Sequence, residues 1–477
     1  MKVKITLIAV ALGVMGSANA AVTPEEAARL GKDLTPWGAE MAGNKEGTIP
    51  PYTGGLPVNL MGPGYDSNKS LVNGRQFTPD PFKDEKPSYR ITAKNLDQYA
   101  DKLSEATKVL FKNDPNFYID VYPTHRVVNY PKYFLDSSIQ NATRCKTDET
   151  GEFPKGCKGG LPFPIPKTGL EEMLNMQLGI YYGPGIDFES VNIYTDRNGT
   201  NVITGNSLGS WQYPYQDPRY SLEDWENPKN SYSMLINRNV TLRIAPARIA
   251  GEANFFMYPI DNRLATGWSY QPGNRRVRTT PNTAYDYPIA SGGGAYFYDE
   301  SSVFLGRMDK FDWKLQGKKE MIMPYSNYRL AWGDMNKVMM AGHPNPEYMR
   351  WELHRAWVVE ATRKPGVRHA YAKRRYYIDE DTPTSAMGDN WDDNGKIMRG
   401  NYGTVLWVWD YQVSIPYYWT CDVVSGAWAN AQHKANGVGP GDRFRNPTTG
   451  LGGRTPDGKM LPDSAYTPEA VARMSAR

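Results

Sequence analysis

From about Ser233 onward the chain is cut into short runs that alternate apolar and polar residues, with a turn signal about every ten residues. The runs are Met234 to Ile244, Ala253 to Ile260, Thr266 to Gln271, Arg275 to Thr280, Leu353 to Thr362, His369 to Asp379 and Gly403 to Ile415. Gly251, Pro272-Gly273, Gly317, Pro365-Gly366 and Asn394-Gly395 punctuate them. This rhythm specifies an antiparallel meander and excludes a helical bundle or a coiled coil. A sheet of that length must curl, pack on helices or close on itself to bury one face. The turn content agrees, with 45 Gly and 36 Pro in 477 residues. An aromatic content of 12%, dominated by Tyr, suits strands and binding surfaces. A closed outer-membrane barrel fits the Tyr and Gly content, but the chain ends in Met474-Ser475-Ala476-Arg477 instead of an aromatic strand, and long Pro-rich stretches interrupt it.

Residues 1–20 read as a cleaved export signal. Lys2 and Lys4 precede the apolar stretch Ile5 to Met15, and Ala18-Asn19-Ala20 supplies small residues for cleavage after Ala20. Export of this kind places the mature chain in the periplasm. No later apolar run is long enough to span a bilayer as a helix, so the chain is expected not to cross the membrane. Residues 21–94 are expected to form an N-terminal helix, capped at Thr23-Pro24-Glu25-Glu26, and an irregular arm. Residues 95–420 are expected to form the sheet domain. It would begin with an amphipathic helix over about 95–112, and a further helix is expected from the capping box Thr168-Gly169-Leu170-Glu171. Residues 421–477 are expected to form a tail with a short helix from Thr467-Pro468.

The formal charge of +4 includes the two signal lysines, so the mature chain is nearly neutral and nucleic acid is not an expected partner. Of three cysteines, Cys145 and Cys157 are expected to form a disulfide closing a short loop, and Cys421 to be a small buried hydrophobe. Only five histidines occur, with no His-x3-His or Cys-x2-Cys spacing, so no metal site is expected. The cluster Asp389-Asn390-Trp391-Asp392-Asp393-Asn394-Gly395 lacks the spacing of a calcium loop and reads as a solvated turn. No nucleophile elbow, P-loop or dinucleotide motif is present, so no cofactor and no catalytic residue is assigned. Glu352, His354 and Asp312 would be the acid-base candidates of an enzyme.

The expected ligand-binding residues combine rings with cations. Trp268, Tyr270, Trp313, Tyr325, Tyr328, Trp357 and Tyr371 supply apolar area, and Arg276, Arg278, Lys373 and Arg375 with His354 supply polar anchors for an amphipathic ligand. Two-residue closure at Pro365-Gly366 would set Glu360 opposite Tyr371 and Trp357 opposite Arg374 as a cation-π pair. It would also line up His369, Tyr371, Lys373, Arg375 and Tyr377 on one wet face.

Several long segments resemble an exported bacterial family of unknown function that is similar to outer-membrane lipoprotein-sorting proteins. They are Gly160-Leu161-Pro162-Phe163-Pro164-Ile165-Pro166, the run from Trp268 to Arg278, Tyr285-Asp286-Tyr287-Pro288, the run from Asp309 to Met321, Pro324-Tyr325, and the run from Glu352 to Thr362 continuing through Arg368-His369 to Asp379-Glu380-Asp381. The resemblance covers most of the mature chain. It implies an α+β, mainly β, lipoprotein-carrier-like fold, in which a strongly curved antiparallel sheet forms an incomplete barrel with helices packed on its concave side. It also implies a periplasmic carrier of a lipid-like or hydrophobic small molecule, working with a proton-driven inner-membrane exporter and an outer-membrane protein. An assembly role without a ligand, or a hydrolase-type activity, are the alternatives. Where many relatives carry Trp-Asn-His, this chain has Leu174-Asn175-Met176, which makes that helix greasier and implies a less polar ligand if the helix lies beside the hollow.

Overall fold

The computed structural model describes residues 22–179, 183–261, 264–280, 285–289, 292–444 and 463–475, so the export signal expected at residues 1–20 lies outside the described residues. The core is a 16-stranded sheet. Its first strands are Tyr89–Thr92 (β1), Tyr118–Tyr122 (β2), Gly185–Thr195 (β3), Asn201–Gln212 (β4), Leu235–Ala245 (β5), Ala253–Pro259 (β6), Thr266–Gln271 (β7) and Arg276–Thr279 (β8). Phe311–Pro324 (β9), Trp351–Arg363 (β10), Lys373–Asp379 (β11), Ala386–Trp391 (β12), Ile397–Val408 (β13), Val413–Asp422 (β14), Trp428–His433 (β15) and Arg443–Phe444 (β16) complete it. From edge to edge the order is β8-β7-β6-β5-β4-β3-β15-β14-β13-β12-β11-β10-β2-β1, with β9 also on β10 and β16 also on β3. The ends β8 and β1 do not pair with each other, so the sheet is curved and open and is not a closed barrel. All pairings are antiparallel except the short β2–β10 contact at Trp351 and Glu352.

The longer helices are Glu105–Asn113 (α1), Lys132–Arg144 (α2), Gly169–Gly179 (α3) and Pro468–Ser475 (α4). The helix expected over about 95–112 starts only at Glu105, because the Ser104 hydroxyl caps the Thr107 N–H at 3.2 Å and residues 96–98 and 100–102 form separate 3₁₀ turns. The Asp389 carboxylate, expected in a solvated turn, is buried and accepts the N–H groups of Glu105 and Ala106 at 2.8 and 2.9 Å. A strand side chain thus supplies the acceptors that a helix N-terminus lacks. The capping box expected at α3 is present, with Glu171 N–H to the Thr168 hydroxyl at 3.2 Å and Thr168 N–H to the Glu171 carboxylate at 3.2 Å.

Strand alternation separates what packs on each face. On β6, Phe255 and Met257 meet α4 along with Val240, Trp268, Tyr270 and Val471. Phe256 and Tyr258 point the other way, toward α3 and the segment 292–310.

Three expectations are corrected. The hairpin after β10 is wider than two residues, and its ladder sets Glu360 opposite Arg375 and Trp357 opposite Ile378, so Trp357 and Arg374 do not pair. The run Gly403 to Ile415 is two strands, β13 and β14, joined by a turn in which Gln412 takes a φ of 52°. The boundary expected after residue 420 falls inside β14, and the supposed tail supplies β15, which pairs β3 in the middle of the sheet.

Candidate functional site

A cleft lies between one face of the β5–β7 sheet, α3, and two non-strand segments. Ile236, Phe256, Tyr258, Pro259, Thr266 and Gly267 form the sheet wall, and Leu174, Gln177 and Leu178 of α3 lie across from it. Tyr298, Ser301, Leu305, Gly306 and Met308 close the floor, with Thr280 at the end of β8. Ile260, Ala265, Glu152 and Phe153 complete the lining. The cavity between these walls has a volume of about 90 Å³. That is below the roughly 300–1,000 Å³ of small-molecule sites, so the cleft in this conformation has room for a slim apolar group.

Each wall is fixed by identifiable interactions. The floor segment is tied to the sheet through Asp299 and Glu300, both buried. Asp299 accepts from Arg374 at 2.6 Å and lies 3.0 Å from His369 Nε2. Glu300 accepts from the Tyr371 hydroxyl at 2.8 Å, Arg399 at 3.1 Å and Asn401 at 3.2 Å. Burial pushes the Asp299 carboxyl up, but Arg374 and His369 outweigh it and hold it below the usual carboxylate range. A buried charge set of this kind is costly to break, so the floor has a defined position. On the helical wall, Gln177 donates to the Gly306 carbonyl at 2.7 Å, and Asn175 clasps Phe163 through its N–H at 2.9 Å and its carbonyl at 2.7 Å. Leu174 lines the cleft and Met176 is buried, so the greasier triplet does place an apolar side chain in the hollow.

The mouth wall comes from the disulfide loop. Cys145 and Cys157 are bonded as expected, 12 residues apart, and they bracket the small hairpin Lys146–Thr147 with Pro154–Lys155. Within it, the Asp148 carboxylate accepts the N–H groups of Glu152 and Phe153 at 3.0 and 3.2 Å. The covalent bridge thereby holds a cleft wall, a consequence the Cys spacing alone does not reveal.

None of the residues expected to bind ligand lines this cleft. Tyr325, Tyr328, His354 and Tyr371 are sealed in the interior. Trp313 packs on Phe304 and Tyr376 and donates to the Met308 carbonyl at 2.8 Å, just behind the floor. Trp268 and Tyr270 lie under α4 on the opposite face, where Trp268 stacks on Phe255. Arg276 and Arg278 are exposed on the edge strand. Lys373 and Arg375 both pair with Glu360, at 2.9 and 2.8 Å. Trp357 lies under Lys318 at 4.7 Å, in a second, shallower groove with Arg29, Glu40 and Pro164. The expected wet face is mostly closed, since His369, Tyr371 and Tyr377 are buried and only Lys373 and Arg375 reach solvent. The wider hairpin explains this, because His369 and Tyr371 are drawn out of the ladder to hold Asp299 and Glu300.

Glu352 and His354 do meet, but in the core. His354 stacks on Tyr325 and lies 3.1 Å from both Glu352 and Asp379. Burial pulls its pKa down, yet the two carboxylates raise it to about 9, so the imidazole is charged at neutral pH. Glu352 also accepts from Arg350 at 2.5 Å and from the His125 N–H at 2.7 Å. Asp312, the third acid-base candidate, is exposed on β9 and does not join them. His354, Asp379 and Asp381 bring their ligand atoms within 4.8 Å of one another. Both Asp381 oxygens, however, are occupied by Arg126 at 2.7 Å, and with the imidazolium these groups balance their own charge. The arrangement serves packing and charge balance in the core.

An open antiparallel sheet with an inner helix walls a largely apolar cleft among the described residues. The chain belongs to the family described as "Protein of unknown function (DUF1329)", whose model matches residues 90–471. It is 38% identical to an uncharacterized protein of Pseudomonas aeruginosa over 412 residues, 84% of each chain. Among solved structures it is similar to a DUF1329 family protein from Desulfovibrio piger (TM-score 0.39, 12% identity, 64% of this chain and 97% of that one). It is also similar to a putative outer membrane lipoprotein-sorting protein domain from Vibrio parahaemolyticus (TM-score 0.38, 12% identity, 64% and 97%). A LolA superfamily protein from Nitrosomonas europaea gives a TM-score of 0.34 at 9% identity over 64% and 100%. The architecture stated above stands on the strand pairing itself. No helix among the described residues is long and apolar enough to cross a membrane.

Proposed function

We propose that the protein is an exported, periplasmic carrier that shelters one lipid-like or otherwise amphipathic molecule, passing it between a proton-driven inner-membrane exporter and an outer-membrane partner. The observation that carries the reading is the cleft lining. Apolar side chains from α3, β5, β6 and the floor surround a small free space, interspersed with the polar side chains of Glu152, Gln177, Thr266, Thr280 and Ser301. Binding by burial needs only that, at about 25 cal/mol for each Å² of apolar surface removed from water. No acid-base pair stands in the cleft among the described residues, whose titratable members are Glu152, Tyr258 and Tyr298. The exporter and outer-membrane partners follow from the family resemblance and are the finer part of the proposal. The test is native mass spectrometry of delipidated protein with medium-chain acyl ligands. A one-to-one complex is expected, and a folded protein that captures none of them rejects the carrier reading.

A further inference from the structure

The polar groups of the cleft carry information about the guest's head group. Among the described lining residues there is one acid, Glu152, and no Lys, Arg or His. The remaining polar side chains are Gln177, Thr266, Thr280, Ser301, Tyr258 and Tyr298, all neutral. Among the described residues the Glu152 carboxylate has no ion pair within 4 Å, and the Thr280 hydroxyl is a buried oxygen with no partner. Lys364 acts on Glu152 through its charge but lies outside the lining. Arg307 pairs with Asp309 at 3.1 Å, and Arg276 and Arg278 are exposed on β8 outside the lining.

We infer that the guest is an apolar body whose head group carries no negative charge, and that Glu152 at the cleft mouth discriminates against carboxylate and phosphate heads. The inference rests on the carrier reading and deepens it. Two like charges brought together in a partly dehydrated mouth repel strongly, whereas a hydroxyl finds an unoccupied acceptor in the Glu152 carboxylate. Partial burial, reinforced by the nearby Asp309 charge, raises the Glu152 pKa, and the opposing pull of Lys364 and Arg307 does not outweigh them. The loop geometry holds the group in place, since Asp148 fixes the Glu152 backbone and the Cys145–Cys157 bridge closes the loop. Specificity would then arise from an unfavourable contact with the wrong head as much as from a favourable one with the right head.

The experiment is displacement of a neutral solvatochromic dye from delipidated protein by 1-monolauroylglycerol and by laurate, which share one acyl chain. The neutral lipid is expected to displace the dye at a concentration at least ~10-fold lower, the scale of one unfavourable charge contact. Glu152→Gln should shrink the gap to below ~3-fold, mainly by improving laurate, and Glu149→Gln in the same loop, outside the lining, should leave it unchanged. Laurate binding as tightly as the neutral lipid in the unmodified protein, an unchanged gap in Glu152→Gln, or an equal effect of Glu149→Gln overturns the head-group inference and leaves the carrier reading intact. Binding of dye and lipids by none of the folded proteins rejects the carrier reading itself.

Discussion

Replacing His354 by Gln tests whether the interior charges are arranged as described. In the native state the imidazolium sits 3.1 Å from both Glu352 and Asp379 and stacks on Tyr325 at 3.8 Å. Its pKa, about 9 in the folded protein, is near 6.5 when unfolded, so the native state binds the extra proton across that interval. The stabilisation is complete below about pH 6.5 and is lost as the pH climbs toward about 9. A shift from 6.5 to about 9, at about 1.4 kcal/mol per unit, corresponds to ~3 kcal/mol. The substitution also leaves two buried carboxylates without their shared cation, for which ~3–5 kcal/mol is typical. Arg350 and the His125 N–H still hold Glu352, and the N–H groups of Asp381 and Thr382 still hold Asp379, so the low end of that range applies. Urea unfolding of both proteins should give a loss of ~3 kcal/mol at about pH 6 that falls to ~1 kcal/mol at about pH 9, where only the ring stacking is missing. Taking the difference between the two proteins cancels the titrating groups remote from this cluster. A loss that is the same at both pH values refutes the account of His354 as a buried cation.

Three further outcomes are expected. Cys145→Ser with Cys157→Ser should cost ~3 kcal/mol in urea unfolding and also weaken dye binding in the cleft, since the loop carries Glu152 and Phe153; a stability loss with unchanged binding would detach the bridge from the site. Burial raises the Glu172 carboxyl to about 8, so the native state keeps a proton that the unfolded chain releases near 4.5, and stability falls as the pH rises between these values. Glu172→Gln should therefore raise the melting temperature at about pH 8 and leave it nearly unchanged at about pH 4, as scanning calorimetry will show. Asp389→Ala should unpair the N–H groups of Glu105 and Ala106, costing ~2 kcal/mol and speeding hydrogen exchange at the start of α1 relative to the rest of the sheet.

Local chemistry was legible in the sequence wherever one segment decided the outcome. The caps at Thr23 and Thr168, the bridge between Cys145 and Cys157 and the strand Thr266–Gln271 all follow from neighbouring residues alone. Strands β3 and β4 escaped notice because polar residues are buried along them. Glu189, for example, is satisfied inside by Arg75 and Asn206 at 2.9 and 2.8 Å, which erases the alternation that marks a half-wet strand. The turn between β13 and β14 is built from Trp409, Asp410, Tyr411 and Gln412, without Gly or Pro, so no turn signal stood there. The hairpin register shifted because His369 and Tyr371 bind Asp299 and Glu300, about 70 residues away in sequence, in preference to the ladder.

The cleft itself left no contiguous trace. Its walls come from separate stretches around residues 152, 174, 236, 256, 266 and 301, and only tertiary packing brings them together. Density of aromatic and basic residues pointed instead to Trp268 and Tyr270, which alternate to the face under α4, and to Tyr325, Tyr328 and His354, which build the interior. Large rings are as useful for filling a core as for holding a guest, and sequence alone does not distinguish the two uses.

The most direct test of the carrier account is calorimetry with a series of uncharged 1-monoacylglycerols of increasing chain length, on the delipidated protein and on Leu174→Trp. Each added methylene should strengthen binding by ~0.8 kcal/mol until the chain outgrows the cleft, with a negative heat-capacity change, and the indole should abolish the gain by occupying the hollow. Affinity that is independent of chain length, or binding that Leu174→Trp leaves untouched in a folded protein, would contradict it.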